Sequence, residues 1–305
     1  MTSPKFHEYY LQWIRLYKAG AVRPVTYDKY KMCYQNLVTL VPDLRLDELT
    51  RLSYQQLLNT YAETHERVTT TDFHHHLKAS LMDALDDGLI KRDPTRKVVI
   101  KGTVQRSHKP KFLNQKEFGR LMDTLFFTGE ADNNYLIALI AKTGIRFSEA
   151  LAVTPKDFDF KRQMLTINKT WNYKSRTGGF APTKNRSSVR KVSIDWQTLT
   201  MFSRLTQDLP SDQPIFASTD KPIFNATVND FLRRKCMMAG VPAISVHALR
   251  HTHASLLLYA GVSLASVSRR LGHANMTTTQ KVYLHVIQEL ENVDNDKIMR
   301  YLSSL

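Results

Sequence analysis

The stretch from His247 to Tyr283 constrains the fold of this chain more than any other part of the sequence. Two glycines, Gly261 and Gly272, interrupt it. Glycine is favoured just past a helix end because it adopts a left-handed backbone at little cost. The pattern predicts one helix that runs to about Gly261, a second short helix over 264–271 that ends at Gly272, and a third segment that carries Tyr283.

Three polar side chains of this stretch would meet at one anion. His247 and Arg250 are three residues apart and share one helix face, while Gly272 places His273 just past the second helix. The hydroxyl of Tyr283 has an ordinary pKa near 10, so it attacks only if its proton is removed and the charge of its target is neutralised. Histidines and an arginine around a tyrosine supply both, and the target that suits them is a phosphate.

The charge of the chain also favours a polyanionic partner. Its 305 residues carry a net charge of +15 and a pI near 9.7. Residues 1–104 contribute 15 basic and 12 acidic residues, and the remainder contributes 28 and 16. Basicity alone also fits RNA, an acidic membrane or a solvated surface. No apolar run is long enough to cross a membrane, and the first residues lack the core of a signal peptide.

Residues 1–92 show the pattern of a small all-helical domain. Apolar residues recur at helical spacing, and no strand pattern competes. The sequence predicts four helices in this order: 6–18, one opened by Pro24 and running to 40, 54–64, and one capped by Thr69–Thr71 that runs to about 88. The run His74–His76 does not suit a metal ion, because adjacent helical residues point in different directions. We expect these histidines to be exposed or to face DNA.

Residues 93–111 are predicted to be a basic linker between domains. The stretch 91–111 holds eight lysines and arginines, one aspartate and two prolines, and it has no helical period. A solvated run of charges is the alternative interpretation. In a basic two-domain protein, a cationic tether that crosses a duplex fits better.

A second domain begins near residue 112. Gly144 marks a helix end, and Arg146 lies just before the next helix, where anions are favoured. Glu149, three residues on, would brace Arg146, although an Arg/Glu pair of this kind is usually a surface ion pair. After residue 157, strand-forming residues predict a small antiparallel sheet of two or three strands. Residues 169–191 hold seven basic and no acidic residues. We therefore expect the edge of this sheet to lie on a nucleic-acid backbone.

Four pieces of this domain resemble the tyrosine recombinase, or phage integrase, family, most of all integrases of temperate phages and conjugative transposons. They are TGIRFSEAL at 143–151, HALR at 247–250, LGH at 271–273 and TQKVYLHV at 279–286. The resemblance is strong from about residue 112 onward, roughly two-thirds of the chain, and looser before it. As an ordered set, these motifs are highly specific.

The resemblance implies a mainly α fold with a small antiparallel β-sheet. It implies a helical core-binding (SAM-like) domain at 1–92, a linker at 93–111, a tyrosine-recombinase catalytic domain at 112–286 and a tail helix at 287–305. In the family, the two domains clamp DNA between them. The tail carries apolar residues and is too short to fold alone. The resemblance favours docking on a neighbouring protomer, and docking on its own subunit stays open.

The resemblance also implies a reaction, namely site-specific DNA strand exchange through a 3′-phosphotyrosine intermediate, without ATP, metal or any other cofactor. Arg146 and Arg250 would hold the phosphate, His247 would accept the tyrosine proton, and His273 would hydrogen-bond the phosphate. The implied catalytic set is Arg146, Lys184, His247, Arg250, His273 and the nucleophile Tyr283, with Glu149 in support. Lys184, in Pro182-Thr183-Lys184, matches the family's hairpin lysine that protonates the leaving 5′ oxygen. Lys174 and Lys191 are weaker rivals for that role.

The implied partners are double-stranded DNA attachment or crossover sites, further copies of the chain in a homo-tetramer, and accessory DNA-bending or directionality factors, with no membrane. The location implied is the bacterial cytoplasm, on the nucleoid when bound. Seven basic residues are candidate DNA contacts: Lys101, Arg106, Lys109, Lys174, Arg176, Arg186 and Arg190.

Three other functions compete with this interpretation. A metal phosphoesterase would use His247, His251, His253 and His273. However, Ala248 stands where the HExxH motif needs its glutamate, and no carboxylates accompany the histidines. A type IB topoisomerase shares the chemistry without exchanging partners; the family's LGH form and the tail favour recombination. A DNA-binding module without activity is a poor fit to a chain that keeps Tyr283 and its partners.

Overall fold

The computed structural model of the chain describes residues 3–103, 112–175, 177–220, 222–283, 286 and 299–304. Contacts divide the chain into two units, Met1–His108 and Lys109–Leu305. Each unit has a hydrophobic core of its own.

The first unit is built from helices that bury aromatic residues. They are α1 (Phe6–Tyr17), α2 (Pro24–Leu40), α3 (Arg51–Ala62) and α4 (Arg67–Asp86), with a 3-10 turn at Leu46–Glu48. Pro24 takes the first position of α2, where its missing N–H costs nothing. Two buried side chains tie α1 to α4, because Tyr9 Oη donates to Ser80 O at 3.0 Å and Trp13 Nε1 to Asp83 Oδ2 at 2.6 Å.

The start of α4 differs from the sequence prediction. The helix begins at Arg67 with Glu66 as its N-cap, so the threonines lie inside its first turns and do not cap it. The hydroxyl of Thr70 donates to Glu66 O, and that of Thr71 donates to Arg67 O. Such bonds to the preceding turn let threonine continue a helix.

The expectation that His74–His76 are exposed or face DNA is wrong for His74. That ring is buried, and its Nδ1 is 3.0 Å from the hydroxyl of Tyr54. Burial, with smaller effects of His75 and Lys78, lowers the pKa of His74 to about 4, so the ring is neutral at pH 7. His74 is therefore part of the core of the first unit.

Residues 93–103 pack on the first unit and do not stand free of it. The side chain of Gln55 on α3 donates to Val99 O and accepts from Val99 N, both at 2.8 Å. Thr103 N donates to His65 O at 2.9 Å. Residues 104–111 of the predicted linker lie outside the described residues.

The second unit is mainly helical. Its helices are α5 (Gln115–Asp123), α6 (Asn133–Thr143), α7 (Phe147–Ala150), α8 (Trp196–Thr206), α9 (Asn225–Met238), α10 (Val246–Tyr259), α11 (Leu264–Leu271) and α12 (Met276–Val282). Helix α6 is buried along nearly its whole length, so α10 and its other neighbours pack around it. Leu113, at the start of the unit, is fixed to α10 because its N–H donates to Thr252 Oγ1 at 3.0 Å.

In the described part of the second unit, five short strands form two separate antiparallel sheets. They are β1 (Phe158–Asp159), β2 (Met164–Ile167), β3 (Lys169–Trp171), β4 (Phe180–Pro182) and β5 (Arg190–Ser193). One sheet has the order β1-β2-β5, with Leu165 opposite Val192, and the other pairs β3 with β4. The mainly α fold with a small antiparallel sheet is confirmed, and the two-stranded β3–β4 sheet is an addition to it.

None of the described helices is both long and apolar enough to cross a membrane. Cys33 on α2 and Cys236 on α9 are both buried as free thiols. Burial raises the pKa of Cys33 to about 11 and also raises that of Cys236. Both thiols are therefore inert core residues.

Candidate active site

Arg146 is held by the helix that it precedes. It is the N-cap of α7, and its backbone N–H donates to Glu149 Oε2 at 2.9 Å. Its Nη1 donates to Glu149 Oε1 at 2.7 Å and to Ser188 Oγ at 3.2 Å, and its Nη2 donates to Gly272 O at 3.1 Å. The guanidinium therefore has its orientation fixed by three elements that are far apart in the sequence.

Arg190, which the sequence predicts as a DNA contact, is instead an internal partner of Glu149. Its side chain is 7% exposed, and its Nη2 donates to Glu149 Oε2 at 2.9 Å. Its Nε donates to Arg270 O at 2.6 Å, and its Nη1 donates to Ser188 O at 2.8 Å. Arg190 shares a face of β5 with the buried Val192, since side chains two apart in a strand point the same way.

Arg250 is almost fully buried and is anchored by backbone carbonyl groups. Its Nη1 donates to Gly144 O and its Nη2 donates to Leu271 O, both at 2.7 Å. Burial, followed by the charge of Arg146, lowers the pKa of Arg250 to about 9, which still leaves it charged at pH 7. These two bonds use two of its five N–H donors.

The C-terminal end of α11 gathers these arginines in one place. Three consecutive carbonyl groups each accept from a different arginine: Arg270 from Arg190, Leu271 from Arg250 and Gly272 from Arg146. The last carbonyls of a helix carry partial negative charge and lack partners within the helix, so they attract cations. The end of α11 thereby sets the spacing of the guanidinium groups.

Glu149 is the carboxylate that balances this arginine cluster. Burial raises its pKa, but Arg190 and Arg146 outweigh burial, and the pKa of Glu149 lies below its ordinary value. The carboxylate is therefore charged. The three guanidinium groups of Arg146, Arg190 and Arg250 carry +3 and Glu149 carries −1, which leaves a net charge of +2. A phosphate is a suitable anion for such a site.

The two predicted histidines lie beside the arginines and are neutral. His247 is one turn before Arg250 on α10, and burial, then Arg250 and Arg146, lower its pKa. His273 follows α11, and its Nδ1 is 2.7 Å from Thr279 Oγ1. Burial, then Arg250 and Arg146, lower the pKa of His273 to about 4. Both rings are therefore uncharged hydrogen-bonding groups at pH 7.

Tyr283 lies in the same region with its hydroxyl turned towards α10. Its side chain is 2% exposed and packs with residues such as Leu258 and Leu271. Its hydroxyl is 3.0 Å from Nδ1 of His251, and no hydrogen bond joins it to His247. Burial raises the pKa of Tyr283 to about 12, against an opposing effect of the charge of Arg250.

Lys184 is placed on the exposed loop that follows β4. The turn just after it reaches the arginine cluster, because Asn185 Oδ1 accepts from the hydroxyl of Ser188 and that hydroxyl accepts from Arg146. Its predicted rivals, Lys174 and Lys191, are also exposed.

The other predicted DNA contacts divide into two groups. Lys101, Lys174 and Arg186 are exposed, as a phosphate contact requires. Arg106, Lys109 and Arg176 lie outside the described residues.

His251, Ser188 and Thr279 are contacts of the site that the sequence interpretation did not assign. His251 follows His247 by one helical turn, and that spacing was considered only for metal binding. Period-two alternation in β5, with Val192 buried, was a usable signal that Arg190 points inward. Ser188 and Thr279 carry no sequence signal of their own, because their roles depend on contacts across the fold. Within the described ranges, no group of three or more His, Cys, Asp or Glu side chains is placed to hold a metal ion.

The model of the phage integrase family matches residues 111–289. A tyrosine recombinase XerC-like protein of Caldanaerobacter subterraneus subsp. tengcongensis is 25% identical over 297 residues, covering 87% of this chain and 75% of that protein. The integrase of Staphylococcus phage L54a is 29% identical over 173 residues, covering 52% of this chain and 49% of that protein. The chain thus aligns with only part of the length of each relative.

A solved structure of the Tn1549 transposon integrase in complex with a circular intermediate DNA has a similar fold. It superposes with a TM-score of 0.77 at 18% sequence identity, covering 92% of this chain and 95% of that one. Because the family model alone spans more than half of the 305 residues, the chain belongs to the phage integrase family, whose members are tyrosine-type site-specific recombinases.

Proposed function

We propose that this recombinase cuts and rejoins DNA through a 3′-phosphotyrosine link on Tyr283, without ATP or a metal ion. The observation that carries the proposal is the net +2 charge of the arginine cluster beside a buried tyrosine hydroxyl. A covalent link to the enzyme conserves the free energy of the phosphodiester bond. Rejoining to a different 5′ end then needs no other energy source.

The side chains would divide the work as follows. Arg146 and Arg250 hold the two non-bridging phosphate oxygens and stabilise the charge of the pentavalent transition state. The resemblance implies that His247 accepts the tyrosine proton, but the hydroxyl of Tyr283 pairs with His251. We therefore assign His247, together with His273, to hydrogen bonds with the phosphate, since both rings are neutral. Lys184 supplies the proton to the leaving 5′ oxygen. Glu149 supports the reaction indirectly, since it fixes the orientation of Arg146.

The proposed substrate is double-stranded DNA at attachment or crossover sites. The exposed side chains of Lys101, Lys174 and Arg186 and the net charge of +15 support binding to phosphate backbones. The Tn1549 integrase, which shares the fold, has been solved with DNA bound. We place core DNA binding in residues 1–92, a basic linker at 93–111 and catalysis in 112–286.

The tail at 287–305 is proposed to dock on a neighbouring copy within a tetramer on DNA. Met299, Tyr301 and Leu302 are each more than half exposed, so the described residues of the chain leave most of each side chain uncovered. Burying such side chains against a second copy would stabilise an assembly. Accessory DNA-bending or directionality factors would act on this assembly.

The test is covalent capture on nicked suicide duplexes, in which the short cleaved strand diffuses away and rejoining cannot occur. A pool of nicked duplexes of randomised sequence, enriched first by binding to the protein, supplies the target. We expect a protein–DNA adduct on denaturing gels with the wild-type chain and with Tyr259→Phe, but none with Tyr283→Phe. An adduct of equal yield in Tyr283→Phe would place the nucleophile elsewhere.

A further inference from the structure

The hydroxyl of Tyr283 is in contact with a histidine outside the predicted catalytic set. Nδ1 of His251 on α10 lies 3.0 Å from the phenolic oxygen, and the ring centroids are 5.8 Å apart at a tilt of 58°. The phenol is buried, so water has little access to its proton. His251 is therefore the imidazole with a direct route to that proton.

The two predicted histidines are engaged elsewhere. The ring of His247 meets that of His251 edge-on, with centroids 4.9 Å apart, and has no hydrogen bond to Tyr283. Nδ1 of His273 pairs with Thr279 Oγ1 at 2.7 Å. A base must lie within about 2.6–3.2 Å of the atom whose proton it takes. Nδ1 of His251 lies within this range of the phenolic oxygen.

The chemistry of the nucleophile makes such a contact necessary. With its pKa raised to about 12 by burial, Tyr283 holds its proton at neutral pH. Attack on a phosphate therefore requires that the proton leave as the new bond forms. Among the described residues, Arg250 is the charged group whose effect reaches the phenol, and the rings of His247 and the neutral His273 lie near His251. No carboxylate among the described residues contacts the phenol to compete with His251 for this role.

We propose that His251 is the proton acceptor for the hydroxyl of Tyr283 in cleavage, and the donor that returns the proton in rejoining. The proposal rests on the function proposed above. In cleavage, the phenolic O–H bond breaks towards Nδ1, the phenolic oxygen bonds to phosphorus, and the bond from phosphorus to the 5′ oxygen breaks. That oxygen leaves with a proton from a separate donor. In rejoining, the 5′ hydroxyl attacks phosphorus and returns its proton to that separate donor, the phosphotyrosyl bond breaks, and Nδ1–H of His251 protonates the phenolate.

The alternative is that His251 only positions Tyr283 and takes no proton. Two substitutions of His251 distinguish this positioning role from proton transfer. The amide oxygen of Asn in His251→Asn falls near the place of Nδ1, so it keeps a hydrogen-bond acceptor but takes no proton. His251→Asp restores a base at the same place. His247→Asn is the comparison variant: its ring lies one turn away against His251, and loss of its proposed phosphate contact should slow adduct formation by a factor that does not change with pH.

The measurement is the rate of adduct formation from pH 6 to pH 9 on two nicked substrates. One has an ordinary 5′ oxygen at the scissile position, and the other has a 5′-bridging sulfur, which leaves without needing a proton. General-base catalysis typically contributes about 10²–10⁴-fold. We expect His251→Asn to lose about that factor at pH 7 and to regain about tenfold per pH unit as hydroxide takes over. His251→Asp recovers part of the rate at pH 7.

The substrate with the bridging sulfur distinguishes a defect in proton donation to the leaving group from a defect in proton removal from Tyr283. It rescues Lys184→Ala, which lacks the proposed donor to the leaving group, but it leaves His251→Asn slow. Three results for His251→Asn would each overturn the proposal. They are rescue by the sulfur substrate, a rate within about threefold of wild type, and a loss of rate that is independent of pH and is not restored in His251→Asp. Equal DNA affinity and melting temperature of the His251 variants show that they are folded. Failure of the wild-type chain to form any adduct would sink the proposed function instead.

Discussion

At the scale of single residues, the charge balance of the site depends on one buried carboxylate. Glu149 is 1% exposed, and it is the acid that both Arg146 and Arg190 contact. Removing one partner of a buried ion pair leaves the other charge without compensation. The same residue that orients Arg146 therefore also stabilises the second unit.

We predict that Glu149→Gln lowers the free energy of unfolding by about 3–5 kcal/mol at pH 7. The matched control is Asp230→Asn, which removes an acid from an Arg pair of the same spacing, 3.1 Å long but more than half exposed. Exposed pairs contribute about 0–1 kcal/mol, so this change should be small. Urea denaturation measures the free energy of unfolding of both variants. Equal losses of stability in Glu149→Gln and Asp230→Asn would contradict the prediction.

The effect of Glu149 on stability should also depend on pH. Because its folded pKa lies below its ordinary value of 4.5, its contribution is complete above about pH 4.5 and is lost as the pH falls through the folded value. The difference in unfolding free energy between wild type and Glu149→Gln should therefore narrow below pH 4.5. A difference that stays constant between pH 7 and pH 3.5 would show that the lost charge is not its origin.

Residue identities in the site were predictable where a short motif fixes them. Arg146, His247, Arg250, His273 and Tyr283 all lie in or beside the second unit's arginine cluster, and each comes from a recognisable piece of sequence. The contact between His251 and Tyr283 spans 32 positions. It depends on how α12 packs against α10, which local spacing does not encode.

At the scale of elements, the end of α11 is the part that holds the site together. Gly272 has φ +68, and a Cβ there would lie 3.0 Å from both Ser187 O and Arg190 Nη1. The backbone just before β5 therefore approaches the end of α11 closely. This approach lets Arg190 reach the carbonyl of Arg270.

We predict that Gly272→Ala is more harmful than the same change at Gly261. Both glycines follow a helix with a left-handed backbone, but a Cβ at Gly261 meets nothing within 4 Å. Gly261→Ala should cost about 1–2 kcal/mol, the cost of a left-handed conformation for an L-residue. Gly272→Ala should cost more and should also slow adduct formation, because it displaces Arg190. Thermal melting and suicide-substrate assays measure these effects, and indistinguishable variants would refute the close approach.

Element types were largely predictable, and element ends were less so. The prediction of 264–271 for α11 matches the structure, whereas α3, predicted at 54–64, spans Arg51–Ala62, and α4 begins at Arg67, before its predicted threonine cap. The β3–β4 sheet was not predicted as a separate sheet. Its strands have three residues each, and those of β4 are exposed or half-buried, so no alternation of apolar residues marks them.

At the scale of the whole molecule, the net charge of +15 is the property that governs binding to a polyanion. The sequence was sufficient to predict this charge and the division into a helical first part and a mixed second part. It did not indicate that residues 93–103 of the predicted linker pack on the first unit through Gln55 and His65. Those contacts are made by the backbone of the segment, and composition does not report them.

We predict that affinity for duplex DNA falls steeply with salt. A protein that contacts six to ten phosphates loses about 10³–10⁵ in affinity between 50 and 200 mM salt, because bound counterions are released. Arg186 is exposed and lies between β4 and β5. Arg186→Ala should reduce the slope of log affinity against log salt by about one. Arg233→Ala, an exposed arginine paired with Asp230 on α9, is the control and should leave the slope unchanged. Fluorescence anisotropy measures both slopes, and a flat salt dependence for wild type would contradict binding to phosphates.

The most direct measurement is the identity of the amino acid that becomes joined to DNA. The adduct from a nicked suicide duplex is digested with nuclease and protease, and the peptide that retains a nucleotide is sequenced by mass spectrometry. The account predicts a 3′-linked nucleotide on the phenolic oxygen of Tyr283. A nucleotide on any other residue, or attached through its 5′ phosphate, would contradict it.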